Sequence, residues 1–142
     1  MRRKYIYKEG NFLGKEPVKK IKKKRSESLT SKQIVLKAAE FALEKKALDP
    51  VLYDVRKITS IADYFFICHG SSDKNVKSIA ENIVEEFKKR GIYAISVDGF
   101  LLCQWIVIDY GDVVIHIFQK ETRDYYNLEG IWGDAKTLKI PA

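Results

Sequence analysis

Gln104–Lys136 reads QWIVIDYGDVVIHIFQKETRDYYNLEGIWGDAK, and this stretch decides the fold. Two apolar runs, Trp105–Ile108 and Val113–Phe118, flank Asp109-Tyr110-Gly111-Asp112. The spacing predicts a β-hairpin with a two-residue loop at Tyr110-Gly111. In that register Asp109 pairs with Asp112, Ile108 with Val113, Val107 with Val114, Ile106 with Ile115 and Trp105 with His116. Alternation then sorts the side chains into two faces. One face carries Ile106, Ile108, Val113, Ile115 and Ile117 and is wholly aliphatic, a core face. The other carries Trp105, Val107, Asp109, Asp112, Val114, His116 and Phe118. An aromatic centre with a polar border suits a protein-binding surface. Helices on both sides of the sheet would instead place the same residues inside. The hairpin alone leaves both readings open.

Upstream, Ser31 is a plausible N-cap for a helix reaching about Lys46, with Ile34, Val35, Ala38, Ala39, Phe41, Ala42 and Leu43 at helical spacing. Asp49-Pro50 stops it. Val51–Val55 and Tyr64–His69 read as strands, parted by a turn near Lys57–Ser60. Gly70-Ser71-Ser72-Asp73 breaks the chain, and Ser72 or Asp73 can cap a helix over about Lys74–Arg90. Val76, Ile79, Ala80, Ile83, Val84 and Phe87 form its apolar stripe, and Gly91 stands at the C-terminal stop position. Ile92–Val97 is a third strand, turned at Asp98-Gly99 toward the hairpin. A short helix over about Glu121–Leu128 closes the domain. The order α-β-β-α-β-β-β-α lacks strict alternation, so the expected fold is α/β (α+β). It has a mixed five-stranded sheet with helices packed mainly on one face.

The formal charge of +7 is unevenly spread. Residues 1–30 hold eleven Lys and Arg against three Glu, whereas residues 31–142 hold fifteen against sixteen acidic residues. The expected organisation is a basic, disordered extension over 1–30, a domain over 31–135 and a short tail over 136–142. Within the extension, Lys19, Lys20, Lys22, Lys23, Lys24 and Arg25 could rest on RNA phosphates through charge alone; a merely solvated extension fits equally. The segment has no apolar stretch of the kind a secretory signal needs, and nothing approaches the ~20 apolar residues of a membrane span. Cys68 and Cys103 lie in apolar, strand-like settings and are expected reduced and buried. Cys68 and His69, as strand neighbours, point to opposite faces, so no zinc site is expected.

Gly70-Ser71, after a strand and before a helix, could cradle a phosphate, but neither a Gly-x-x-x-x-Gly-Lys nor a Gly-x-Gly-x-x-Gly loop is present. A nucleotidyltransferase would need an Asp-x-Asp or Asp-x-Glu pair on the following strand to hold magnesium. Ile92–Val97 contains no carboxylate and Asp98 arrives alone. Asp109 and Asp112 could bind a cation; a charged interface rim is the better reading. Ser71, Ser72 and Cys68 lack a His-Asp arrangement for nucleophilic catalysis. No catalytic residue, cofactor or metal is expected.

Ala62-Asp63-Tyr64-Phe65-Phe66-Ile67-Cys68-His69-Gly70-Ser71-Ser72 resembles the first conserved block of the ribosomal silencing factor (Iojap-like) family. Trp105–Phe118 resembles the second, and Arg123, Tyr126, Leu128, Glu129 and Trp132 match its closing helix. The likeness covers about Gln33–Ala135. It implies a cytoplasmic, bacterial, non-enzymatic translational repressor with a nucleotidyltransferase-like fold lacking the catalytic carboxylates, often a homodimer. Such a protein binds the large ribosomal subunit through the ribosomal protein numbered fourteen and blocks joining of the small subunit when nutrients fall. Carried onto this chain, the partner surface comprises Trp105, Asp109, Tyr110, Gly111, Asp112, Val114, His116 and Phe118. Asp98-Gly99 replaces the family's usual Glu-Gly. Phe100-Leu101-Leu102-Cys103 departs further, because relatives tend to be polar there, and the long basic N-terminus also exceeds the family pattern. A nucleotide- and metal-dependent enzyme using Gly70-Ser71 is the competing reading.

Overall fold

The computed structural model describes residues 29–140. Its central strand, β2 (Tyr64–Gly70), is buried along its whole length. A run of apolar residues without alternation is what a strand covered on both faces requires. It pairs in parallel with β5 (Val113–Gln119) and antiparallel with β1 (Leu48–Asp54). Outside these lie β4 (Trp105–Asp109), β3 (Ser96–Asp98) and β6 (Lys136–Leu138), giving the order β3-β4-β5-β2-β1-β6. The class is the expected one, a mixed α/β sheet, but there are six strands rather than five. The sixth lies where a polar tail was expected, and its three residues pair antiparallel with Leu52–Asp54.

Helices α1 (Ser31–Glu44) and α2 (Asp73–Lys89) pack on one face of the sheet. The α1 cap is Thr30, not Ser31: its side chain accepts from the Gln33 N–H while the Gln33 side chain reaches back, a capping box. Ser31 Oγ instead donates to Asp63 at 3.1 Å. The helices meet through Phe41 and Phe87, whose rings are 5.0 Å apart, and Asn82 Nδ2 donates to the Phe41 carbonyl at 2.9 Å. Beneath them lie Tyr64, Phe66, Cys68, Ile106, Ile108, Val113, Ile115 and Ile117, all buried. Helix α2 ends in a Schellman turn, with Gly91 at φ +77 and the Ile92 N–H on the Phe87 carbonyl. That turn ties Ile92 to the helix, which is why β3 begins at Ser96 and not at Ile92.

The hairpin sits two residues away from the expected register. Trp105 faces Phe118, Val107 faces His116, Ile108 faces Ile115 and Asp109 faces Val114. The Tyr110 N–H donates to the Val113 carbonyl at 2.9 Å, so the loop is Gly111-Asp112. Gly111, at φ +93, supplies the positive angle a tight hairpin needs. Asp109 Oδ1 accepts from its N–H at 2.7 Å, which fixes the turn one residue later. A shift of two preserves every face assignment, because the side-chain period is two.

Candidate functional site

The second face of the sheet is covered less evenly. Tyr53, Val55, Phe65, Ile67 and Phe118 are buried there, while Val51, Trp105, Val114, Leu128 and Trp132 are only partly so. The cover comes from α3 (Lys120–Tyr126) and α4 (Leu128–Ile131). The single closing helix expected over Glu121–Leu128 is thus two, broken at Asn127, which takes a left-handed conformation at φ +48.

Arg123 locks this cover down. It is 6 % exposed, and its guanidinium donates to Glu129 Oε2 at 3.1 and 2.6 Å, to the Leu48 carbonyl at 3.4 Å and to His69 Nδ1 at 2.8 Å. Because arginine can only donate, His69 accepts through Nδ1 and is neutral. Burial first, and the Arg123 charge second, push its pKa below the ordinary histidine value. Reading the sequence for a surface missed this network; His69 and Arg123 stand 54 positions apart. Cys68, one residue away, points into the helix-side core, where burial pushes its thiol up to about 12.

Trp105 is the centre of what remains open. Its indole stacks on Phe118 at 5.0 Å and 27° and packs against Tyr126 at 4.8 Å. Its Nε1–H donates to His116 Nδ1 at 3.1 Å. His116 therefore carries its proton on Nε2, and burial pushes its pKa down to about 4, so it is neutral at pH 7. Phe65 presses edge-on against the His116 ring at 5.6 Å and against Trp132 at 4.8 Å. The indole is thus held on two sides by rings and at its polar tip by a hydrogen bond.

The residues expected to form one surface do not share one environment. Trp105, Asp109 and Val114 are half-buried on the second face, and Asp112 is exposed at the turn. His116 and Phe118 are on that face but buried, at 9 % and 0 % exposure, and both pack against Trp105. Tyr110 is on the opposite side: its ring packs on Phe87 of α2 at 4.9 Å. Gly111 contributes through its backbone angle alone. The Asp112 carbonyl accepts from the Asp63 and Tyr64 N–H groups, tying the turn to the start of β2. Lys19, Lys20, Lys22, Lys23, Lys24 and Arg25 lie outside the described residues.

A cleft of about 420 Å³ opens at the ends of the parallel strands β2 and β5, lined by His69, Gly70, Ser71, Ser72, Gln119 and Lys120 among others. Two of the amides near the start of α2 are engaged: Ser71 N–H donates to Asn75 Oδ1 at 2.9 Å, and Asn75 N–H donates to Ser72 Oγ at 3.1 Å. Asp73 accepts from the Gln119 side chain at 2.8 Å. Among the described residues, no group of three or more His, Cys, Asp or Glu side chains is placed to hold a metal ion. No helix among them is long and apolar enough to cross a membrane.

The family model described as ribosomal silencing factor during starvation matches residues 28–142. The chain is 44 % identical over 107 residues to a ribosomal silencing factor of Bacillus subtilis, a match covering 75 % of this chain and 91 % of the relative. A crystal structure from Bacillus halodurans superposes with a TM-score of 0.65 at 35 % identity, covering 78 % of this chain and 97 % of that one. Another, from Chromobacterium violaceum, superposes with a TM-score of 0.73 at 27 % identity, covering 80 % and 94 %. On the match of nearly its whole folded part, this chain belongs to the ribosomal silencing factor family.

Proposed function

We propose that this protein represses translation as a non-enzymatic binding module. It occupies the large ribosomal subunit, through the protein numbered fourteen, and so prevents joining of the small subunit when nutrients are scarce. The observation that carries the reading is the half-open aromatic face. Trp105 is fixed by Phe118, Tyr126 and His116 before any partner arrives, so little ordering entropy is lost on binding. Toward the hairpin turn the same face carries half-buried Val114 and Asp109, with Asp112 exposed at the turn itself. A tryptophan centre with a polar border is the anatomy of a binding hot spot. The family resemblance supports this choice of partner, and the bacterial cytoplasm as the place of action.

The test is co-sedimentation of the full chain with purified large ribosomal subunits. Trp105→Ala should weaken binding by about 30-fold, equivalent to about 2 kcal/mol, while remaining folded on its intact helix-side core. Undiminished binding by a folded variant would refute the site. The basic segment adds a sequence-independent contact with ribosomal RNA, supported by its composition. Removing residues 1–28 should flatten the salt dependence of binding, read from the same assay between low and high salt.

A further inference from the structure

Three strands meet under α3. Phe118 of β5 pairs with Trp105 of β4 on one side and with His69 of β2 on the other. Paired residues share a face, so Trp105, Phe118 and His69 make a row across the second face of the sheet. The helix above the row has 7 residues, too few to hold itself together in water. Its N-cap, Gln119, makes no side-chain capping bond, and its Lys120–Asp124 pair is exposed and contributes little. Arg123 is the buried residue of α3. Its guanidinium ties the helix to the sheet at His69 Nδ1 and the Leu48 carbonyl, and to α4 at Glu129.

Three positions on, Tyr126 leaves the same side of the helix and lands at the other end of the row. Its ring packs on the Trp105 indole at 4.8 Å and remains 49 % exposed. Arg123 and Tyr126 thus straddle β5: one grips the His69 end, the other lies on the Trp105 end. The break after Tyr126 serves the same placement. The Asn127 N–H donates to the Arg123 carbonyl at 2.9 Å. Gly130 lies so close to the Asn127 side chain that a Cβ on it would be 2.5 Å from Nδ2. This tight turn brings Glu129 back onto the guanidinium at 2.6 Å. A buried cation is stable only where its partners are, so Arg123 fixes where α3 lies and with it where the Tyr126 ring falls.

We infer that Tyr126 is a contact residue of the partner surface alongside Trp105, and that Arg123 is the positioning residue that sets it there. The two rings touch, so they present one continuous aromatic surface. The protein that covers the open part of the indole covers the tyrosine with it. The inference rests on the reading of the Trp105 face given above, and adds to the hairpin a residue carried by a different element, α3.

The experiment measures the affinity of the full chain for purified large ribosomal subunits, for wild type, Trp105→Ala, Tyr126→Ala and Arg123→Gln. Two double variants combine Tyr126→Ala with each of the others, and melting curves show that each is folded at the temperature of the assay. Tyr126→Ala should lose about tenfold in affinity, and adding it to Trp105→Ala should cost a further severalfold. Arg123→Gln should lose about as much as Tyr126→Ala, and the pair together no more than either alone. Losses that multiply in that pair would make Arg123 a structural residue only and overturn its positioning role. No further loss on adding Tyr126→Ala to Trp105→Ala would mean that the tyrosine only props the indole, and would overturn its place on the surface. Wild-type affinity in Tyr126→Ala, with binding weakened in Trp105→Ala, would overturn the inference and leave the Trp105 reading standing. Wild-type affinity in both would overturn both. Should Arg123→Gln not fold, Glu129→Gln takes its place in the same cycle, since it removes the charge partner and leaves the guanidinium on His69 and Leu48.

Discussion

On the helix side of the sheet, Phe66, Cys68, Ile106, Ile108, Ile115 and Ile117 are completely removed from solvent beneath two long helices. On the other side, the matching positions of the same strands carry Phe65, Trp105, Val107, Val114 and His116, roofed only by α3 and α4. The first face uses side chains that make no directional demand, and close packing is enough to hold them. The second uses rings with polar edges that take directed hydrogen bonds: Trp105 donates to His116, and Arg123 donates to His69 and to Glu129. One face is built for stability and the other holds an aromatic centre rigid while leaving part of it accessible. A sheet can do both because alternate residues along a strand are independent in direction.

The sharpest way to break that contrast is a truncation on the helix side. Phe66→Ala should cost about 4 kcal/mol of stability, measured by denaturant unfolding, because Phe66 is 0 % exposed between β1 and β5. A loss no larger than that of Trp105→Ala would erase the proposed division of labour.

Acid should act on the aromatic face first. His116 is held well below the ordinary histidine value of 6.5, at about 4. Its unfolded form therefore takes up a proton before the folded form does, and stability falls as pH drops from 6.5 toward 4. Between pH 7 and pH 5 the loss from this group is about 2 kcal/mol. His116→Gln should flatten that part of the stability profile relative to wild type; an identical pH dependence would mean His116 is not buried neutral.

The smallest expected effect lies where the two faces meet. Gly111→Ala places a side chain at φ +93, with Ile95 Cδ1 3.4 Å from the new Cβ. A cost of about 1 kcal/mol is expected, visible as a modest drop in melting temperature. A neutral or stabilising result would show that the hairpin turn relaxes to another geometry.

Much of the site was legible in the chain, but not its accessibility. Alternation assigned Trp105, Val107, Asp109, Val114, His116 and Phe118 to one face, and that assignment survived a register change because the change was an even number of residues. The same pattern could not tell which of them α3 and α4 would cover, so His116 and Phe118 were expected at the surface and are instead buried. Tyr110 was placed in the loop, yet continues the core face of β4 and meets Phe87. The exposure of Leu101 and Leu102 follows from a loop pinned by Gln119, fifteen and more residues away.

By itself the sequence determined what depends on neighbours along the chain: helix periodicity in α1 and α2, the stop at Gly91, the buried character of β2, the two-faced hairpin and the absence of a paired-carboxylate motif. Only the tertiary structure decided the pairing of Lys136–Leu138 with β1, the buried Arg123–His69–Glu129 network and the half-covered state of Trp105. These are contacts between segments far apart in the chain. Their existence depends on how the whole sheet closes and which surfaces its last helices reach, and no local pattern encodes that.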